Sequence, residues 1–191
     1  MKKDIILSGV GGQGILSIAT VIGEAATIAG LHLKQAEVHG MSQRGGDVQS
    51  DLRLSTEPIA SDLIAHGQAD LIISMEPMEA LRYVPFLAAD GAVITSSKPF
   101  VNIPNYPEEA AIQAELKTLP KVVQTDIDQV ATDLGAARSS NMVLLGMAAK
   151  FLEIVSPDTL REAIRHIFAS KGESVIESNI KAFNAGIELS E

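Results

Sequence analysis

Two glycine-bearing turns hold most of the residues in this chain whose type and spacing suggest chemistry. The first is Gly9-Val10-Gly11-Gly12-Gln13-Gly14, and the second is Met41-Ser42-Gln43-Arg44-Gly45-Gly46. Gly9, Gly11 and Gly14 satisfy G-x-G-x-x-G. Glycine lets such a turn close tightly and lets backbone approach a diphosphate, while a helix that starts there offers free N–H groups and a positive dipole end. In the second turn Arg44 stands beside two flexible positions, and a guanidinium recognises carboxylate or phosphate in a planar, two-pronged way. A ligand-binding site is therefore expected at Gly9, Gly11, Gly12, Gln13, Gly14, Gln43, Arg44, Gly45 and Gly46. The competing explanation is structural: the glycines only permit close strand–helix packing, and Arg44 pairs with Asp47 or Asp51.

Other chemistries find little support. A dinucleotide fingerprint asks for an acidic residue about 20 positions further on. Lys34 stands near that spacing, and Glu37 lies a little beyond it. No Gly-Lys-Ser/Thr follows the glycines, which excludes a Walker A loop. The absence of cysteine excludes a disulfide framework, a thiol nucleophile and any cysteine-ligated iron–sulfur cluster held by this chain. His32, His39, His66 and His166 are scattered without metal-ligand spacing, so no metal site is expected and no catalytic residue is assigned. A net charge of −9 and 4% aromatic residues argue against nucleic acid. No apolar run reaches the ~18 residues of a membrane helix. Met1-Lys2-Lys3-Asp4 lacks a signal-peptide cleavage pattern, so a cytoplasmic protein is expected.

The elements that must carry the turns follow from periodicity. Residues 4–8 form a short apolar run suited to a buried strand, and 15–29 place Ile15, Ile18, Ala19, Ile22, Ala25, Ala26 and Ala29 at helical spacing. Residues 31–38 and 48–54 read as strands whose short connection implies an antiparallel pair. Residues 56–67 form a connector with a short helix at best. Strands are expected over 69–75, 92–96 and 121–125, and helices over 78–87 and 108–117. The three prolines between Lys98 and Pro107 mark an irregular loop. From residue 126 the chain reads as helical: 127–134, 141–154, 157–168 and 174–185. Asp126 suits a helix cap, and Asn141 could cap the helix it begins, as could Ser139 or Ser140 equally well. The expected class is α/β, a three-layer α/β/α arrangement with a mixed, mostly parallel sheet and a helical C-terminal part, in one domain over residues 1–191.

The two turns, together with Arg138-Ser139-Ser140-Asn141-Met142-Val143-Leu144-Leu145-Gly146, resemble the gamma-type subunits of 2-oxoacid:ferredoxin oxidoreductases, most closely those of the indolepyruvate branch. The likeness runs from Asp4 to the C-terminal helices. It implies one subunit of a hetero-oligomeric enzyme that decarboxylates an aryl 2-oxoacid oxidatively, with coenzyme A as co-substrate and ferredoxin as acceptor. It also implies a large partner subunit that carries thiamine diphosphate and the iron–sulfur clusters, with no cofactor bound by this chain alone. Two alternatives stay open beside it: a self-sufficient NAD(P)-binding oxidoreductase, and a subunit whose glycine turns only pack.

Overall fold

The computed structural model describes residues 1–40 and 45–190. In it, the run before the first glycine turn forms strand β1 (Lys2–Val10), buried from Asp4 to Val10. Covered on both faces, it shows no alternation in sequence. The chain continues through α1 (Ile15–Ile28), β2 (His32–His39), β3 (Asp47–Ser55), β4 (Ala69–Ser74), α2 (Pro77–Arg82) and β5 (Leu87–Ser96). It then forms α3 (Glu109–Leu116), β6 (Val122–Thr125), α4 (Ile127–Asp133), α5 (Ser140–Leu152), α6 (Pro157–Phe168) and α7 (Glu173–Glu188). The strands make one sheet in the order β2-β3-β1-β4-β5-β6. β1, β4, β5 and β6 are parallel, whereas β3 runs against both β1 and β2. The α/β class and the mixed, mostly parallel sheet are as expected.

Side chains alternate between two cores. Ile5, Leu7, Leu52, Leu54, Leu71, Ile73 and Ile94 meet α1 and α5 on one face. Ile6, Ile72 and Val93 meet Ile112 and Leu116 of α3 on the other. Helix α5 is buried almost all round, which accounts for its nearly unbroken run Met142–Ala149 with glycine at 146. The C-terminal helices add an outer tier, with α6 packed on α1 and α7 on α5. Among the described residues no helix is long and apolar enough to cross a membrane.

Two boundaries differ most from expectation. The helix expected over 78–87 stops at Arg82, and a single 3-10 turn, Val84–Phe86, leads directly into β5. Pro85 cannot donate to the helical ladder, so the pattern ends one turn early. Strand β5 accordingly begins at Leu87, ahead of the expected turn at Asp90-Gly91. That dipeptide sits where the β4–β5 register shifts between Ala69 and Leu71, and the extra residues are absorbed there.

Candidate functional site

All strands except β3 point the same way, so the loops after β1, β2, β4, β5 and β6 share one edge, and the antiparallel β3 starts there. After β1 the chain crosses to β2 on one side, and after β4 to β5 on the other. Ligands of open α/β sheets bind at the carboxyl ends of strands where the order switches like this.

The two glycine turns meet at this edge. Gly11 N–H donates to the Gly46 carbonyl at 2.8 Å, and Gly45 N–H reaches the Gly11 carbonyl at 3.4 Å. Gly9 lies inside β1, where a Cβ would stand 3.1 Å from Gln13 Oε1 and 3.2 Å from Met75 Cβ. Gln13 braces its own turn: its Oε1 accepts from Val10 N–H at 2.7 Å, and its N–H donates to the Val10 carbonyl at 3.1 Å. Gln43 and Arg44 lie outside the described residues.

Gly12, Gln13 and Gly14 line a cleft of about 780 Å³ with Arg138, Ser139, Asn141, Lys171, Ser178 and Asn179. Gly45 and Gly46 are not part of its wall. The structure thus joins the turns by backbone bonds, and among the described residues only those of the first turn reach this cavity.

Of the three candidate caps of α5, it is Ser139 and not Asn141 that takes the position. Asn141 Nδ2 donates to the Gly14 carbonyl at 3.1 Å, tying α5 to the glycine turn. Asp126 does cap α4, accepting from Gln129 N–H at 2.9 Å.

The electrostatics of the cleft favour an anion. Gly14 and Ser139 begin α1 and α5 without side-chain cap bonds, and α7 starts after Gly172 likewise uncapped. Helices α2, α4 and α6 are capped by Glu76, Asp126 and Ser156. Three open helix N-termini therefore gather at one cavity, with their N–H groups and positive dipole ends. Arg138 and Lys171 add two cations that make no ion pair among the described residues. Ser139 is 4% exposed and its hydroxyl is free of any cap bond. Lys171 and Ser178 escaped sequence reasoning because they lie far along the chain from either glycine turn. Arg138, Ser139 and Asn141 stand in the third matching segment, but nothing in the sequence gave them a place beside Gly14.

Gly14 is the residue on which this wall depends most. Its φ of 84° lies in the left-handed region, and a Cβ there would come within 2.9 Å of Asn141 Nδ2. Gly14→Ala is expected to lower stability by about 1–3 kcal/mol, read as an earlier unfolding midpoint in urea. A wild-type midpoint would show that the turn tolerates a side chain.

The geometry speaks against a dinucleotide at the first turn. β3 separates β1 from β2, so Glu37 stands two strand spacings from β1, each about 4.8 Å. The adjacency on which ribose recognition by a second-strand acid depends is missing.

A family model described as pyruvate ferredoxin/flavodoxin oxidoreductase matches residues 4–189. The chain is 35% identical to an indolepyruvate oxidoreductase subunit IorB of Archaeoglobus fulgidus, over 97% of this chain and 94% of that one. A keto/oxoacid ferredoxin oxidoreductase gamma subunit from Geobacter sulfurreducens superposes with a TM-score of 0.70 at 25% identity, over 98% of each chain. A 2-oxoglutarate:ferredoxin oxidoreductase from Magnetococcus marinus, solved with 2-oxoglutarate, coenzyme A and succinyl-CoA, shares the fold with a TM-score of 0.77 at 23% identity. It covers 99% of this chain and 31% of the longer one.

Proposed function

Because the chain belongs to the pyruvate ferredoxin/flavodoxin oxidoreductase family, we propose that it is the small, cluster-free subunit of an indolepyruvate-type 2-oxoacid:ferredoxin oxidoreductase. The observation that carries this assignment is the nearly end-to-end match to an indolepyruvate oxidoreductase subunit. The reaction takes an aryl 2-oxoacid, coenzyme A and oxidised ferredoxin to an aryl-acetyl-CoA, carbon dioxide, one proton and ferredoxin reduced by two electrons in total. It is assigned to the cytoplasm.

The residues of this chain do not suit the family's redox groups. It has no cysteine, and among the described residues no cluster of three or more His, Asp or Glu could hold a metal ion. The iron–sulfur clusters are therefore assigned to a large partner subunit, through which ferredoxin is reached, and thiamine diphosphate is assigned to the same subunit on the family resemblance. The longer Magnetococcus chain, of which this fold is about a third, supports a domain that works against further protein. Phe100, Val101 and Ile103, exposed on the loop beside the Gly45 turn, provide apolar surface at that edge for a partner to cover.

This subunit's own contribution is to hold an anionic group. The backbone N–H groups of Gly12 and Gly14, the Arg138 guanidinium and the Lys171 ammonium would bind the phosphates of coenzyme A or the oxoacid carboxylate. Arg44, beside Gly45, would serve the same ligand. Co-expression with a large subunit, followed by assay of acceptor reduction, tests the assignment. Turnover with indolepyruvate is expected to exceed that with 2-oxoglutarate or pyruvate, and the reverse order would refute the substrate class. Arg44→Ala and Arg138→Ala are each expected to raise KM for coenzyme A or the oxoacid about tenfold or more, with subunit association unchanged. Unaltered kinetics in both would leave the turns a purely structural role.

A further inference from the structure

The loop between β5 and α3, residues 97–108, crosses the carboxyl edge and is anchored at both ends of its span. Phe100 N–H donates to Glu76 Oε1 at 3.3 Å, and the Tyr106 hydroxyl donates to the same oxygen. Glu76 is fully buried, and its other oxygen caps α2 through Glu79 N–H at 2.8 Å. Burial pushes the Glu76 carboxyl above its ordinary value, against the pull of these donors. A buried carboxylate that pairs with no cation among the described residues is a costly way to fasten a loop, which points to a demand for position rather than mere closure.

Between the two anchored residues stands Asn102. Its Nδ2 donates to the Gly45 carbonyl at 2.8 Å, while its Oδ1 is buried and accepts nothing among the described residues. Flipping the amide would set oxygen against the Gly45 carbonyl, so the acceptor itself fixes the orientation. The side chain leaves one polar atom unsatisfied to keep this one bond. The Gly45–Gly46 turn is thus gripped from two sides, by Gly11 through backbone and by Asn102 through its amide.

We propose that Asn102 is a positioning residue that sets the Gly45–Gly46 turn against the Gly9–Gly14 turn, with Glu76 holding Asn102 through Phe100 and Tyr106. The purpose assigned to it rests on the turns binding an anionic group of coenzyme A or the oxoacid.

The test uses the assembled enzyme with Asn102→Ala, Asn102→Asp and, as a milder change, Tyr106→Phe. Amide exchange over residues 9–14 and 45–49 is expected to quicken about three- to tenfold in Asn102→Ala, with β4 and β5 unaffected. Asn102→Asp, which faces the Gly45 carbonyl with an anion, is expected to do more, and Tyr106→Phe less. KM for coenzyme A or the oxoacid is expected to rise in the same order with kcat nearly constant. Wild-type exchange in all three variants overturns the positioning role. Faster exchange with unchanged KM overturns the binding role of the turns, and with it the purpose assigned to Asn102.

Discussion

Gly146→Ala is expected to destabilise the protein by about 3 kcal/mol or more, because α5 and α7 cross where neither has room for a side chain. A Cβ on Gly146 would lie 2.0 Å from the Phe183 carbonyl oxygen and 2.9 Å from Gly186 Cα. A Cβ on Gly186 would lie 2.0 Å from the Val143 carbonyl oxygen. These are backbone atoms, so no rotamer change relieves the overlap and the helices must part. Parting them also strips contacts from Phe183, Met147 and Val143, all fully buried. The same movement reaches the cleft, because α5 brings Ser139 and Asn141 to its wall and α7 brings Ser178 and Asn179. The thermal midpoint should fall by roughly 6–12 °C for a chain of this size. Gly186→Ala should cost a similar amount, and the double variant less than the sum, since both act on one contact. Gly23→Ala is the control. It lies within α1, its Cβ would meet only Leu33 Cδ2 at 3.4 Å, and alanine's helix preference should leave it neutral or stabilised by up to about 1 kcal/mol. A Gly146→Ala midpoint within a degree or two of wild type would show that the crossing is looser than the backbone distances require.

That crossing illustrates what periodicity conveys and what it omits. Gly146 and Gly186 look like weak points in otherwise helical runs, and nothing local indicates that each exists for the other. The β1–turn–α1 unit was legible because an apolar run, glycines and a 3.6-residue pattern follow one another directly. Helix α6 was legible to the residue, with Ser156 as cap and Pro157 at its first position. The pairing of the turns was foreseeable too, since each closes a strand of the same sheet. The insertion of β3 between β1 and β2 was not: a short connection fixes β2 and β3 as partners but leaves the neighbour of β1 open. That one choice separates this edge from a dinucleotide-binding edge. The cleft was the least legible part, because Gly14, Arg138 and Lys171 meet only once the C-terminal helices have folded back over α1. Asn102 was hidden for a similar reason, in a proline-rich loop read only as surface.

Asp4→Ala is expected to be destabilising by about 1.5–3 kcal/mol, because a partly buried Arg53 loses its charge-assisted hydrogen bonds. Asp4 is fully buried opposite Arg53 in the β1–β3 register. Arg53 donates to its carboxylate twice, from Nε at 2.8 Å and from Nη2 at 3.0 Å, and Lys2 Nζ adds a third contact at 2.7 Å. The guanidinium goes on to the carbonyls of Ser61 and Leu63 through Nη1. One side chain thereby fastens β1, β3 and the connector before β4. Alanine removes the anion and leaves Arg53 only those two carbonyls. Asp4→Asn should cost less, since it keeps an acceptor while losing the charge.

The pair also predicts the acid limb of stability. Burial alone would raise the Asp4 carboxyl, but the hydrogen bonds and charges of Arg53 and Lys2 outweigh it and hold the group below its ordinary value of 3.8. With its folded value depressed, Asp4 contributes stability that is present above the unfolded value and is lost as pH falls through the folded one. Glu76 has the opposite sign: its raised carboxyl contributes most at low pH and loses that contribution as pH rises through its folded value. Glu76 therefore cannot produce an acid loss, and the slope below about pH 5 tracks paired carboxylates such as Asp4. Urea unfolding of wild type and Asp4→Ala from pH 7 to pH 3 should show the gap between them narrowing as acid protonates Asp4 in the wild type. A gap that stays constant across this range would mean that the charge of Asp4 adds nothing, and that the variant's cost is lost packing alone.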